Sequence, residues 1–245
     1  MTETQKHPLR GLLVAQFFGA FNDNAWKLSV AFLAMRAVET ELEKQTQITL
    51  AFVALTVPLI LFSLPAGVLA DRISKRSVIL SMKALEVALM AAATVVLLLF
   101  NPADPADGLG RVLALVVLGL MGVQSALFSP AKYGILPEIL PHTRLSSGNA
   151  QLQMWTMLAI IGGTAAAGAL LAVTVTRVWL LGAALTGLAA VGFAAAFAVP
   201  RVAPARTAGG LVYTIRGAWT AMRQERTLWL AVLDPLSSPE RPFEN

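Results

Sequence analysis

Cysteine is absent from the 245 residues. That excludes disulfides, thiolate metal centres and a cysteine nucleophile. Histidine is nearly absent: His7 and His142 are the only two. Both fall in polar segments, so no histidine cluster exists to bind a metal or run acid–base chemistry, and neither a cofactor nor an enzyme active site is expected. Charge is scarce as well. Asp, Glu, Lys and Arg make up only 13% of the chain, against about 25% in ordinary soluble domains.

What fills the chain is apolar. Hydrophobic residues reach 56% and the mean hydropathy is +0.68, a composition that points to a membrane protein. The net charge of +5 would suit a nucleic-acid binder, but the basic residues are scattered among loops between apolar runs. No nucleic-acid partner is expected, and membrane lipids are.

A helix needs roughly 20 apolar residues to cross a hydrocarbon core. Six runs qualify, at about 12–35, 48–70, 78–100, 112–129, 149–173 and 177–199. Lys6 and Arg10 before the first run imitate a signal peptide, but that run carries Asp23 and Lys27 and more runs follow it, so no cleavage is expected. With the N-terminus inside, the inner segments hold Lys6, Arg10, Arg72, Lys75, Arg76, Lys132, Arg144 and, between 201 and 226, Arg201, Arg206, Arg216, Arg223 and Arg226. The outer loops hold only Arg36, Lys44, Arg111 and Arg177. Twelve basic residues against four predict that both ends are cytoplasmic.

The chain divides into three expected parts. Residues 1–200 form a six-span domain. Residues 201–227 form a cytoplasmic linker whose stretch 208–226 places Leu211, Ile215, Trp219 and Met222 on one helical face, suited to an anionic inner leaflet. Residues 228–245 begin like a seventh span, then turn to proline and charge that no spanning helix tolerates.

The most unusual stretch is G-A-F-N-D-N-A-W-K, residues 19–27. It places Asn22, Asp23, Asn24 and Lys27 at bilayer depth, where an ionised group costs at least about 2.5–3.5 kcal/mol without a partner or a wet cavity. Asp23 and Lys27 stand at i,i+4 and are expected to pair. Such a pair either locks helix packing or lines a polar path through the membrane. In the third run Lys83 and Glu86 stand at i,i+3; Lys83 is expected to snorkel to the inner surface, while the deeper Glu86 needs a partner. The fifth run carries Gly162, Gly163, Ala167 and Gly168, read as close helix packing. Trp155 and Trp179 read as interfacial anchors.

Two connectors are distinctive. The first, G-V-L-A-D-R-I-S-K-R (67–76), holds Gly67, Asp71, Arg72, Lys75 and Arg76. This G-x3-D-R-x-x-K-R pattern after a second span resembles the signature loop of the major facilitator superfamily, with Ser74 where the family usually has Gly. The second, F-S-P-A-K-Y-G-I-L-P-E-I-L-P (128–141), holds Pro130, Lys132, Tyr133, Gly134 and Glu138 and reads as a rigid re-entrant turn. Together with F-N-D-N-A-W-K it resembles the lysophospholipid transporter branch of that superfamily.

The resemblance covers about residues 10–233. It implies an all-α membrane protein: a six-helix bundle forming the N-domain of a major facilitator fold, with the connector 67–76 gating against the opposite half. The implied substrate is a lysophospholipid, lysophosphatidylethanolamine in particular, flipped across the bacterial inner membrane. Implied partners are a C-terminal half and an acyltransferase or acyl-carrier-protein ligase. Because transporters of this branch have twelve spans, the chain reads as a truncated half. A zwitterionic headgroup needs one anionic and one cationic contact, and Asp23 with Lys27, backed by Glu86, offers both. The alternatives are a non-transporting fragment or assembly module, and a facilitator of another small substrate.

Overall fold

The computed structural model describes residues 9–201 except Val175, and no side chain at 64 or 68–72. The linker helix expected at 208–226 and the aborted seventh span expected at 228–245 lie outside the described residues.

Among the described residues six long helices carry the architecture: α1 (Arg10–Arg36), α2 (Glu41–Arg72), α3 (Lys75–Leu99), α4 (Gly108–Gly134), α6 (Leu145–Val173) and α7 (Trp179–Ala196). A single turn, α5 (Leu136–Ile139), and a 3₁₀ turn at His142–Arg144 join α4 to α6. No strand occurs among the described residues.

The helix starts follow local chemistry. Thr40 and Glu43 form a capping box before α2: the Glu43 N–H donates to Thr40 Oγ1 at 3.3 Å and the Thr40 N–H to Glu43 Oε2 at 3.2 Å. Asp107 caps α4, accepting from the Gly110 N–H at 2.8 Å and from the Asn101 N–H at 2.6 Å. Pro58 and Pro65 lie inside α2 and Pro130 inside α4. Membrane helices tolerate proline because neighbouring groups satisfy the freed carbonyls.

Both expected connectors therefore shrink. The first is not a loop: only Ile73 and Ser74 separate α2 from α3, with Gly67, Asp71 and Arg72 in the last turns of α2 and Lys75 and Arg76 opening α3. The second is not a re-entrant turn from residue 128. Here α4 runs through Pro130, Lys132 and Tyr133 to Gly134, and Glu138 belongs to α5.

Helix packing repeats with a twist. α1 packs along α6 as α2 packs along α4, α1 meets α7 as α4 meets α3, and α3 pairs with α7. Exchanging α1, α2, α3 for α4, α6, α7 maps these contacts onto one another, with α3 against α7 mapped onto itself, the pattern of a three-helix repeat used twice. Two apolar clusters occupy the two ends of the bundle. One gathers Trp26, Leu33, Met90, Leu118, Met121 and Leu185, the other Leu12, Ile79, Phe128, Ile135, Leu140 and Leu152. A buried polar belt of Gln16, Asn22, Lys83, Glu86 and Gln124 accompanies them. Outside, Leu61, Leu98, Ile161 and Val173 stand exposed, a surface suited to lipid.

Five described helices are long and apolar enough to cross a membrane. α1 is the exception among the six, because the same polar residues that mark it out dilute its hydropathy.

Two crossings depend on glycine. A Cβ at Gly122 would strike the Leu55 backbone of α2, and one at Gly163 the Phe21 backbone of α1. Gly168 and Gly187 face open space. Gly122→Ala and Gly163→Ala should each lower stability by about 1–3 kcal/mol through overpacking. Gly168→Ala and Gly187→Ala should be neutral or slightly stabilising, since alanine is the better helix former. Thermal unfolding in detergent checks the contrast, and equal effects at all four positions would contradict these crossings.

Candidate functional site

A cavity of about 330 Å³ opens among α1, α2, α3, α4 and α6. One stripe of α1 supplies Gln16, Gly19, Ala20, Asp23 and Asn24, spaced three and four apart as a helical face requires. α3 adds Lys83 and Glu86; α4 adds Gln124, Ser125, Phe128, Pro130 and Lys132; α6 adds Thr156.

Asp23 dominates this chemistry. Its Oδ2 accepts from Ser125 Oγ at 2.5 Å. Its Oδ1 is buried and has no hydrogen-bond partner among the described residues. The expected partner, Lys27, does not reach it. Lys27 Nζ instead donates to Asn24 Oδ1 at 3.0 Å and lies 4.4 Å from the Phe52 ring centre. One helical turn brings the two stems alongside, but Phe52 of α2 draws the ammonium sideways and Ser125 of α4 holds the carboxylate. Lys27 is not among the cavity-lining residues.

Asn22 also turns away from the cavity. It is fully buried, and its Nδ2 donates to Glu86 Oε1 at 3.3 Å and to the Leu185 carbonyl at 3.2 Å. Lys83 Nζ donates to Glu86 Oε2 at 2.5 Å. Both Glu86 oxygens are thus engaged. Lys83 does not snorkel: its side chain is 1% exposed. A notch makes room for it, because a Cβ at Gly19 would lie 2.8 Å from its Nζ and one at Gly192 would lie 3.4 Å away.

The opposite charge in the cavity comes from a residue the sequence assigned to a connector. Lys132 Nζ donates to Gln16 Oε1 at 3.2 Å, and Gln16 Nε2 donates to Thr156 Oγ1 at 2.9 Å. Lys132 also lies 5.8 Å from the Phe128 ring centre and 5.1 Å from that of Tyr133. The Tyr133 hydroxyl donates to Gln153 Oε1 at 3.3 Å, tying α4 to α6.

The two connectors meet each other. Lys75 forms an ion pair with Glu138, and its stem lies against Gly134. Arg76 donates to the Val199 carbonyl at 2.7 Å and the Phe197 carbonyl at 3.2 Å. It thereby neutralises the carbonyl end of α7. A Cβ at Gly67 would meet nothing within 4 Å; the side chains of Asp71 and Arg72 are outside the description.

Sequence reasoning passed over Gln16, Gln124, Ser125 and Thr156. The available signal was polar placement. Gln16 lies seven residues before Asp23 on the same stripe, and Gln124-Ser125 interrupts an otherwise apolar run.

The Major Facilitator Superfamily model matches residues 12–236. The chain belongs to that superfamily. With its apolar helices, this makes it a multi-pass membrane protein. It is also similar to proteins named "Lysophospholipid transporter LplT" from Yersinia enterocolitica serotype O:8 / biotype 1B, Yersinia pestis strain Pestoides F and Yersinia pseudotuberculosis strain YPIII. Each is 33% identical over 203 residues, covering 80% of this chain and 43% of the relative. The chain thus spans less than half the length of these relatives.

Proposed function

We propose that this chain supplies one six-helix half of a transporter that moves lysophospholipid across the bacterial inner membrane, with lysophosphatidylethanolamine as substrate. The observation that carries the reading is the cavity itself: a buried carboxylate with one unengaged oxygen shares a space of about 330 Å³ with the Lys132 ammonium. An ethanolamine ammonium fits Asp23 Oδ1, and the phosphate fits Lys132, each as a charge-assisted hydrogen bond. Glu86, with both oxygens engaged, supports the wall. The relatives' names favour a lysophospholipid over another zwitterion. On this reading a second six-helix half, and an acyltransferase or acyl-carrier-protein ligase acting on the delivered lipid, are the protein partners. Transport by alternating access then needs a second half for the first to rock against.

The test is uptake of labelled lysophosphatidylethanolamine by cells lacking their own transporter for it. The chain is expressed alone and together with the remaining part of one of the Yersinia relatives. Uptake above the empty-vector control in the paired arm is expected. Background uptake in both arms, with the chain inserted, would overturn the proposal.

The distribution of basic residues supports both ends being cytoplasmic. With no native cysteine, single cysteines at the exposed positions Glu41, Asp104, Ser77 and Arg144 are clean reporters. An impermeant thiol reagent added outside should label positions 41 and 104 and spare 77 and 144. The reverse pattern would invert the orientation.

A further inference from the structure

A second face of α1 shows chemistry that the transport cavity does not use. Arg10, Leu13, Val14, Phe17 and Phe18 recur at i, i+3, i+4, i+7 and i+8, and with Trp155 of α6 they line a separate groove of about 390 Å³. The groove is apolar along its length and cationic at one end. Phe17 meets Trp155 edge-on at 5.7 Å between ring centres and Phe18 edge-on at 5.5 Å, so the aromatic floor is held rigid. Its wall is open to the surroundings: Val14 is 38% and Trp155 39% exposed. Arg10 is exposed and makes no hydrogen bond or ion pair with any described residue. It stands at the bundle end that also carries Lys75, Arg76 and Arg144, in the first turn of α1, where the helix dipole adds positive potential.

We propose that this groove binds one anionic phospholipid of the bilayer, its phosphate on Arg10 and one acyl chain along Leu13, Val14, Phe17 and Trp155. Length supports the assignment. Eight residues separate Arg10 from Phe18, about 12 Å along a helix axis, close to the roughly 15 Å depth of one leaflet's hydrocarbon. A chain that starts at headgroup level on Arg10 therefore ends near the bilayer midplane beside Phe18. Charge decides the headgroup class. The groove offers a cation and no carboxylate, unlike the cavity with Asp23, so it favours a net anionic lipid over a zwitterionic one. This lipid is resident, distinct from anything carried through the cavity, and its binding stands whether or not the transport proposal holds.

Trp155 makes the site observable. The chain is reconstituted in vesicles in which a minor fraction of the phospholipid carries brominated acyl chains, either on phosphatidylglycerol or on phosphatidylcholine. The fluorescence of Trp155 is taken as the difference between the chain and its Trp155→Phe variant. Brominated phosphatidylglycerol should quench Trp155 with about fivefold higher relative affinity than brominated phosphatidylcholine, the advantage expected of one basic side chain at the membrane surface. Arg10→Gln should bring the ratio close to one, and Arg10→Lys should keep most of it. Val14→Phe, which fills the groove without touching the charge, should weaken quenching by both lipids. Equal quenching by both lipids, or a preference that survives Arg10→Gln, would overturn the proposal. So would a Trp155 that neither lipid quenches, since the groove would then be covered by protein.

Discussion

Under the proposed function, replacing Asp23 by Asn in the chain paired with the remaining part of a relative should reduce lysophospholipid uptake roughly ten- to a hundredfold while leaving the protein folded. The substitution keeps the shape, and the amide still offers an oxygen to Ser125 Oγ. What it removes is the charge at Oδ1, and a hydrogen bond to a charged group is worth about 1.5–3 kcal/mol. Lys132→Gln should act similarly through the phosphate. Lys27→Gln should change uptake by no more than about threefold, because Lys27 does not line the cavity and its ammonium engages Asn24 and Phe52. The double variant Asp23→Asn with Lys27→Gln should be as inactive as Asp23→Asn alone. Recovery in the double variant would mean that the two residues pair during transport and would remove Asp23 from the headgroup. Initial uptake rates, normalised to inserted protein, separate these outcomes.

The contrast between Lys27 and Lys132 shows what a sequence pattern can carry. Hydropathy located all six helices, with ends within about five residues except at α2, which begins seven residues before the expected run, since span length follows from bilayer thickness. The polar stretch of α1 was equally visible, because charge at bilayer depth is rare. Partner choice was not visible. Periodicity says that Asp23 and Lys27 share a face, yet the partners that claimed them, Ser125 and Phe52, come from α4 and α2, 102 and 25 residues away in the chain. Lys132 was misplaced for a related reason: proline at 130 reads as a turn in soluble proteins, but in α4 it sits inside a continuing helix. That extra helical length carries Lys132 into the cavity rather than onto a surface loop. Lys83 shows the same limit. Snorkelling is the ordinary outcome for a lysine near a helix end, and only the glycines of α1 and α7 reveal that a slot was left for it.

That slot makes the Lys83–Glu86 pair the second strong test. Both side chains are 1% exposed, so removing one partner strands a charge in the interior. Lys83→Met and Glu86→Gln should each destabilise the bundle by about 3–5 kcal/mol. The double variant should be far milder, within about 1–2 kcal/mol of the parent or above it, because no charge remains to be desolvated. Methionine matches the length of the lysine stem and fits the notch at Gly19 and Gly192. The amide oxygen introduced at position 86 still accepts from Asn22, which also keeps its bond to the Leu185 carbonyl. Thermal unfolding in detergent measures the stability pattern, and uptake measured on the same three variants assigns the role. If the pair only fixes the cavity wall, stability and uptake recover together in the double variant. If Lys83 also touches the phosphate from its place beside Phe128, 5.6 Å from the ring centre, stability returns while uptake stays low. The first outcome is expected, since Glu86 already commits the Lys83 ammonium and Lys132 does not face a carboxylate that close. A double variant no more stable than the singles would show that the two charges are solvated separately, against the buried pair described here.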